Sequence, residues 1–244
     1  MNFSIIYTKK RKEVIVFMAK SKNSNLLEKQ RGISQGVTVE KMLSKGKFNL
    51  LIGLFTLYGV LINIFLYYGI QFSLADYYNP ILFISCFIIP FIGLFVALHP
   101  NMVIKFIGYN LVVIPDGYVM AMTLHLISPE SVIKAFTSMA IIVITMMIIS
   151  SLFPQIFEHL GQFLITTSSI ILLVLIFMWI TGMYFGIINW IIVILFTVWV
   201  GFDWAMAQQE YYKTPELAMT YAIDLYLDIQ NLMINLVDIF EFDL

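Results

Sequence analysis

Long apolar runs without a charged side chain alternate along the chain with short polar segments. Four stretches contain no Asp, Glu, Lys or Arg, namely 48–75, 77–104, 135–157 and 159–202. A helix of about 20 residues crosses a hydrocarbon core of ~30 Å, so the longest stretch has room for two crossings. The pattern predicts a polytopic helical membrane protein.

The apolar runs and the turn residues between them divide the chain into seven predicted membrane helices. Their predicted bounds are about 48–68, 80–98, 102–127, 131–152, 160–180, 185–207 and 215–240. Pro115-Asp116-Gly117 predicts a break in the third helix, because proline removes a backbone donor. The predicted fold class is all-α membrane protein, with a basic and partly disordered tail over 1–46, a transmembrane domain over 47–240 and an acidic end over 241–244.

The last predicted helix carries a polar stripe that the other helices lack. Polar residues recur there every three or four positions, a spacing that places them on one helical face. They are Tyr221, Asp224, Asp228, Asn231, Asn235 and Asp238. We expect other helices to surround this one, with the stripe facing a cavity or a partner. The alternative is an amphipathic helix on the membrane surface, but such helices favour Lys and Arg on the polar face and this stripe has neither.

Composition and charge agree with a membrane protein and suggest its orientation. Hydrophobic residues make up 60% of the chain and charged residues 12%, whereas soluble proteins carry about 25% charged residues. Eleven of the fourteen basic residues precede the first predicted helix. The positive-inside bias therefore predicts a cytoplasmic N-terminus in a cell membrane, or in an intracellular membrane of a eukaryote. Anionic lipid headgroups are the expected partner of the basic segment, rather than nucleic acid.

No motif predicts an enzyme, a disulfide or a resident cofactor. The chain has one cysteine, Cys86, and its three histidines have no ligand-like spacing. Phe202-Asp203 loosely resembles the Tyr-Asp pair of intramembrane aspartyl proteases, but the Gly-x-Gly-Asp partner is missing around Asp224 and Asp228. We therefore expect no catalytic activity.

The acids inside predicted helices are the candidate functional residues, because a charge at mid-bilayer costs about 2.5–3.5 kcal/mol on insertion scales. The sixth and seventh helices should form an antiparallel hairpin. Counted from the middle of the connecting loop at ~1.5 Å per residue, Asp203 lies about 14 Å deep, Asp224 about 18 Å and Asp228 about 24 Å. Depth favours a pair of Asp203 with Asp224, and a shift of one turn would favour Asp228.

Two carboxyl groups that meet in low dielectric cannot both stay ionised, so such a pair should share a proton and titrate as a unit near neutrality. The singly protonated pair would hold the hairpin closed, and full ionisation would separate the helices or admit a bridging Ca²⁺. The alternative is a set of ordinary interhelical hydrogen bonds, worth about 0.6 kcal/mol each. Asp224, Asn231, Asn235 and Asp116 are predicted to line the same cation pathway, and a cap at the predicted helix break is the alternative for Asp116.

The segment from Ala222 to Leu232, Ala-Ile-Asp-Leu-Tyr-Leu-Asp-Ile-Gln-Asn-Leu, resembles the closing signature of the Bax inhibitor-1 family of transmembrane proteins. Phe202-Asp203 looks like that family's acidic position on the sixth helix, and Ser131-Val-Ile-Lys-Ala-Phe-Thr like its fourth-helix entry. The resemblance covers roughly residues 40–240. It implies seven helices with the last one enclosed by the other six.

The resemblance also implies a pH-sensitive calcium leak gated by an aspartate pair, which falls on Asp203 and Asp228. Three departures from the family pattern stand out: Asp224 in place of a frequent amide, Asp238 in place of a basic residue, and only His99 and Lys105 where relatives have an arginine.

The predicted function is accordingly a calcium leak channel, with Ca²⁺ as the permeant ion and Asp203 and Asp228 as its possible ligands. A proton- or cation-coupled transporter, or a regulatory membrane protein, is the alternative. Uptake coupled to a proton gradient would favour the transporter.

Overall fold

A computed structural model describes residues 42–70, 79–183 and 185–242, and over these residues the chain is helical without strands. The helices are α1 (Lys45–Gly69), α2 (Pro80–Ala97), α3 (Met102–Leu124), α4 (Pro129–Leu152), α5 (Pro154–Glu158), α6 (Gly161–Thr181), α7 (Ile187–Gln209) and α8 (Pro215–Phe242). Five of them, α1, α3, α4, α6 and α7, are long and apolar enough to cross a membrane. The all-helical membrane class is thus confirmed, while the tail before residue 42 and the predicted acidic end at 243–244 lie outside the described residues.

Side-chain caps explain where four of these helices begin. The side chains of Ser44, Asn79, Asn101 and Ser128 each accept a hydrogen bond from a backbone N–H in the first turn that follows. These bonds satisfy donors that the start of a helix leaves without a partner. At the C-terminal end of α6, Gly182 adopts the left-handed conformation with φ 67°, in which glycine ends a helix at low energetic cost.

The predicted break in the third helix is wrong, because α3 continues through Pro115. A membrane helix tolerates proline where neighbouring helices support the backbone, and α3 packs along both α1 and α2. The connection after α4, which the sequence predicts as a loop, contains the single-turn helix α5 with a buried Phe157.

Helix α8 lies inside the packed part of the chain. It contacts α1, α3, α4 and α7, and fifteen of its 28 residues are buried, more than in any other described helix. Burial of this extent favours an enclosed helix over one that lies on the membrane surface. The exposed apolar side chains lie on the outer faces of the bundle, and Phe65 of α1 is 74% exposed.

Candidate functional site

The contact between Tyr221 and Glu210 sets the relative height of α7 and α8. The Tyr221 hydroxyl donates to Glu210 Oε2 at 3.2 Å. Asp203 lies seven residues before Glu210 on α7, and Asp228 lies seven residues after Tyr221 on α8. Both are therefore about 10.5 Å further into the bundle, at ~1.5 Å per residue. The depth count from the loop midpoint favours Asp224 instead, because it assumes that the two helices leave the loop at equal height. Helix α8 reaches the level of Glu210 only at Tyr221, six residues after its start.

Contacts with the start of α1 fix the loop between α7 and α8. The ammonium group of Lys213 donates to the carbonyl oxygens of Gln208 and Glu210 at the end of α7. Burial lowers the pKa of Lys213, and the neighbouring Glu210 carboxylate opposes that shift. The Leu43 N–H donates to the Lys213 carbonyl at 2.7 Å, and the side-chain amides of Asn49 and Gln208 form two hydrogen bonds of 3.1 Å. The height of the hairpin is therefore held from outside the two helices.

At that height the carboxyl groups of Asp203 and Asp228 lie within side-chain hydrogen-bonding reach of each other. An ionised carboxylate only accepts hydrogen bonds, so this contact requires a proton on one of the two groups. Asp228 is 5% exposed, and its Oδ2 atom is buried without any N–H or hydroxyl donor. Two ionised groups would leave that oxygen unsatisfied beside a like charge, which low dielectric makes costly. One shared proton is the chemically consistent state.

Asp224 lies one turn from Asp228 and interacts electrostatically with both members of the pair. It also interacts with the ammonium group of Lys105 on α3. Lys105 is 7% exposed, and its Nζ donates to Thr220 Oγ1 at 2.5 Å. The positive charge of Lys105 therefore balances Asp224, while the proton serves Asp203 and Asp228.

A cavity of about 200 Å³ reaches this cluster from the side of α2. Asp224 and Thr220 line it on α8, and α2 contributes apolar side chains such as Phe91 and Leu94. The three acids thus have an open space beside them, at Asp224 rather than at the hydrogen-bonded pair.

The two predicted asparagines of the pathway bond within their own helix. The Asn231 amide donates to the Leu227 carbonyl and the Asn235 amide to the Asn231 carbonyl, each at 2.8 Å. The carboxyl group of Asp116 accepts a hydrogen bond from Tyr226, on the face of α8 away from Asp228. Asp116 is not among the residues that line the cavity at Asp224, and its place in a cation pathway stays a prediction.

That second polar face of α8 is what sequence reasoning missed. It consists of Tyr226 and Gln230, which meet Asn63 of α1 and Asp116 of α3. Two positions along a helix differ by about 200°, so Tyr226 and Gln230 face away from Asp228. Their spacing of four, together with Asn63 in the apolar second half of α1, was the available signal.

Within the described ranges, no group of three or more His, Cys, Asp or Glu side chains converges as a metal site. Calcium prefers six to eight oxygen ligands. Asp203, Asp224 and Asp228 offer the right donor chemistry but an incomplete ligand set.

A multi-pass helical bundle with buried acids on two packed helices defines a class of polytopic membrane proteins with an ionisable interior. Within that class, the chain belongs to the Bax inhibitor-1 family, because the family model described as inhibitor of apoptosis-promoting Bax1 matches residues 41–243. The resemblance noted in the sequence is thereby confirmed. A comparison with curated proteins finds no match.

Proposed function

We propose that this protein is a pH-sensitive calcium leak channel whose gate is the pair of Asp203 and Asp228. The observation that supports the proposal is the close approach of two carboxyl groups, that of the partly buried Asp203 on α7 and that of the buried Asp228 on α8. Intramembrane acids are costly, and they commonly mark ion and proton pathways.

The gate works through one proton. With the proton present, Asp203 and Asp228 hold α7 against α8 and the pathway is closed. When rising pH removes the proton, two negative charges repel in low dielectric and attract a divalent cation between them. Leak should therefore increase as pH rises through the ionisation of the pair. Asp224 and the adjoining cavity supply the approach for the ion.

The proposal includes a topology. The five long apolar helices cross the membrane together with α2 and α8, which gives seven crossings with α8 enclosed by the others. The basic residues before α1 lie in the cytoplasm, and the C-terminus lies on the opposite side.

The test is calcium efflux from liposomes that contain the purified protein, measured over a series of pH values. The wild-type protein should show efflux that rises over about two pH units, the width of one ionisation. Asp203→Asn and Asp228→Asn should each flatten that dependence, because neither variant can share a proton between two carboxyl groups. Glu130→Gln is the matched control, since Glu130 is an exposed acid paired with Lys134.

Unchanged pH dependence of efflux in both aspartate variants would contradict the role of the pair as the gate. Equal efflux from protein-free liposomes and from liposomes with wild-type protein would remove the channel itself.

A cation–proton exchanger is the second candidate, favoured by a separate, partly buried acid, Asp116 of α3, which meets the other face of α8. An imposed proton gradient would drive an exchanger to accumulate calcium against the calcium gradient. A leak channel cannot do this, because it only dissipates gradients.

A further inference from the structure

A second polar cluster lies between α1, α3 and α8, on the face of α8 away from the aspartate pair. The Tyr226 hydroxyl is at its centre, 3.1 Å from Asn63 Oδ1, 3.1 Å from Asp116 Oδ2 and 3.5 Å from the Val113 carbonyl oxygen. Gln230 Nε2 donates to the same hydroxyl oxygen at 2.6 Å. Tyr226 is fully buried, so water does not reach its ring from outside the bundle.

The cluster has more acceptors than donors. A tyrosine hydroxyl carries a single hydrogen, yet three oxygen atoms lie within reach of it. The carboxylate of Asp116 and the Asn63 amide oxygen cannot both receive that hydrogen, whereas the Val113 carbonyl also accepts the helical backbone bond within α3. Buried acceptors without a donor are unfavourable, and an added positive charge among them would satisfy the surplus.

The backbone is shaped to leave room at this point. A Cβ atom on Gly117 would collide with Asn63 Oδ1, and a Cβ atom on Gly59 would lie 2.6 Å from the Tyr226 ring. Two glycines on two helices therefore admit the amide and the phenol ring.

A cavity of about 310 Å³ reaches the cluster between α1 and α4. Asn63 and Gln230 are its amide side chains, and most of its other walls are apolar. One water molecule occupies about 30 Å³ in the liquid, so the cavity has room for an ion to arrive with part of its hydration shell.

The charge of the cluster matches one monovalent cation. Among the described residues, the hydrogen bond to Asp116 comes from Tyr226, and no Lys, Arg or His is bonded to that carboxyl group. The other titratable group against Tyr226 is Tyr109, whose ring packs edge-on at 5.9 Å, and α1 contributes the neutral Asn63. A single carboxylate with several neutral oxygens balances one positive charge and leaves a divalent ion half neutralised.

We propose that Asp116, Asn63, Tyr226 and the Val113 carbonyl form a sodium site that exchanges Na⁺ for a proton, independent of the calcium gate. Hard oxygen donors suit a hard cation, and comparable sites in transporters use buried acids and backbone carbonyls. A bound sodium ion would coordinate the surplus acceptors. Protonation of Asp116 would instead turn one acceptor into a hydrogen-bond donor for the others. Sodium and protons therefore compete.

The first test is thermal unfolding of the purified protein in sodium chloride against choline chloride at equal ionic strength. A ligand that binds only the folded state raises Tm, and sodium at about ten times its Kd should raise it by about 3 °C. Asp116→Asn should lose the sodium shift and Glu130→Gln should keep it. In the wild-type protein the shift should shrink as pH falls, because the proton takes the place of sodium.

The second test is a gain of function with equilibrium binding of radioactive sodium and calcium as probes. Asn63→Asp adds a second carboxylate beside Asp116 and should change the preference of this site from sodium to calcium. Asp203→Asn should leave sodium binding intact while it changes the pH dependence of calcium efflux, so the two proposals fail separately.

Equal Tm in sodium and choline at every pH would overturn the sodium site, as would a sodium shift that survives in Asp116→Asn. Calcium binding that requires Asp116 in the wild-type protein would also overturn it.

Discussion

Asp228 is the residue at which stability and function conflict most clearly. Its carboxyl group is 5% exposed, and one of its oxygens has no N–H or hydroxyl donor. A buried charge without full compensation costs several kcal/mol, whereas a neutral group of the same shape does not. The acid is therefore explained by what its proton does rather than by its contribution to folding.

Asp228→Asn should raise the stability of the protein, and the gain should grow with pH. At higher pH the wild-type pair loses its proton and carries a second negative charge, which the asparagine variant avoids. Thermal unfolding in detergent over a pH series should show a gain of about 1–3 kcal/mol at the alkaline end. Glu130→Gln, which breaks the exposed Glu130–Lys134 pair, should change stability by less than about 0.5 kcal/mol. A lower Tm for Asp228→Asn at every pH would contradict this account.

Residue types were readable from the sequence, but their partners were not. Asp203, Asp224 and Asp228 stand out because they interrupt apolar helices. Which two meet depends on the height at which Glu210 contacts Tyr221, and that contact depends on a loop held by Lys213 and Leu43. Local sequence spacing carries no information about such a long-range contact.

At the scale of helices, close packing through small residues decides which faces meet. A Cβ atom on Gly108 of α3 would lie 2.8 Å from the Gly93 carbonyl oxygen of α2. Small residues let membrane helices approach closely when no hydrophobic force drives them together. The bounds of most helices were predictable from apolar runs and capping residues, because both signals are local. The continuation of α3 through Pro115 was not, since it depends on support from neighbouring helices.

Gly59→Ala and Gly53→Ala on α1 should have opposite effects on stability. The added Cβ of Gly59→Ala meets the Tyr226 ring, whereas Gly53 has no atom within 4 Å of the same position. Overpacking costs about 1–3 kcal/mol, and alanine is favoured over glycine inside a helix by about 0.5–1 kcal/mol. Thermal unfolding should therefore show a lower Tm for Gly59→Ala and an unchanged or higher Tm for Gly53→Ala. A stable Gly59→Ala would mean that α1 does not approach Tyr226 this closely.

At the scale of the whole molecule, the two ends of α8 are tied to different ends of the bundle. Near its start, the carbonyl of Lys213 receives a hydrogen bond from Leu43, just before α1. Near its end, Glu241 Oε2 accepts a hydrogen bond from the Ser128 hydroxyl at 2.7 Å, just before α4. The start of α1 and the end of α8 therefore lie at opposite ends of the bundle, which agrees with the odd number of crossings in the proposed topology.

Epitope tags at the two termini should be accessible from opposite sides of the membrane, with the N-terminal tag on the cytoplasmic side. Antibody or protease access to sealed vesicles of known orientation measures this directly. Both tags on one side would mean an even number of crossings and would contradict the proposed topology.

The most direct test of the central claim is the pH dependence of calcium efflux in the double variant Asp203→Asn/Asp228→Asn compared with the two single variants. If one proton shared by the two carboxyl groups is the sensor, either substitution removes it, and the second adds no further change. The account predicts the same flat profile for all three variants. Two partial effects that add up in the double variant would show that Asp203 and Asp228 sense pH separately, which would contradict a shared-proton gate.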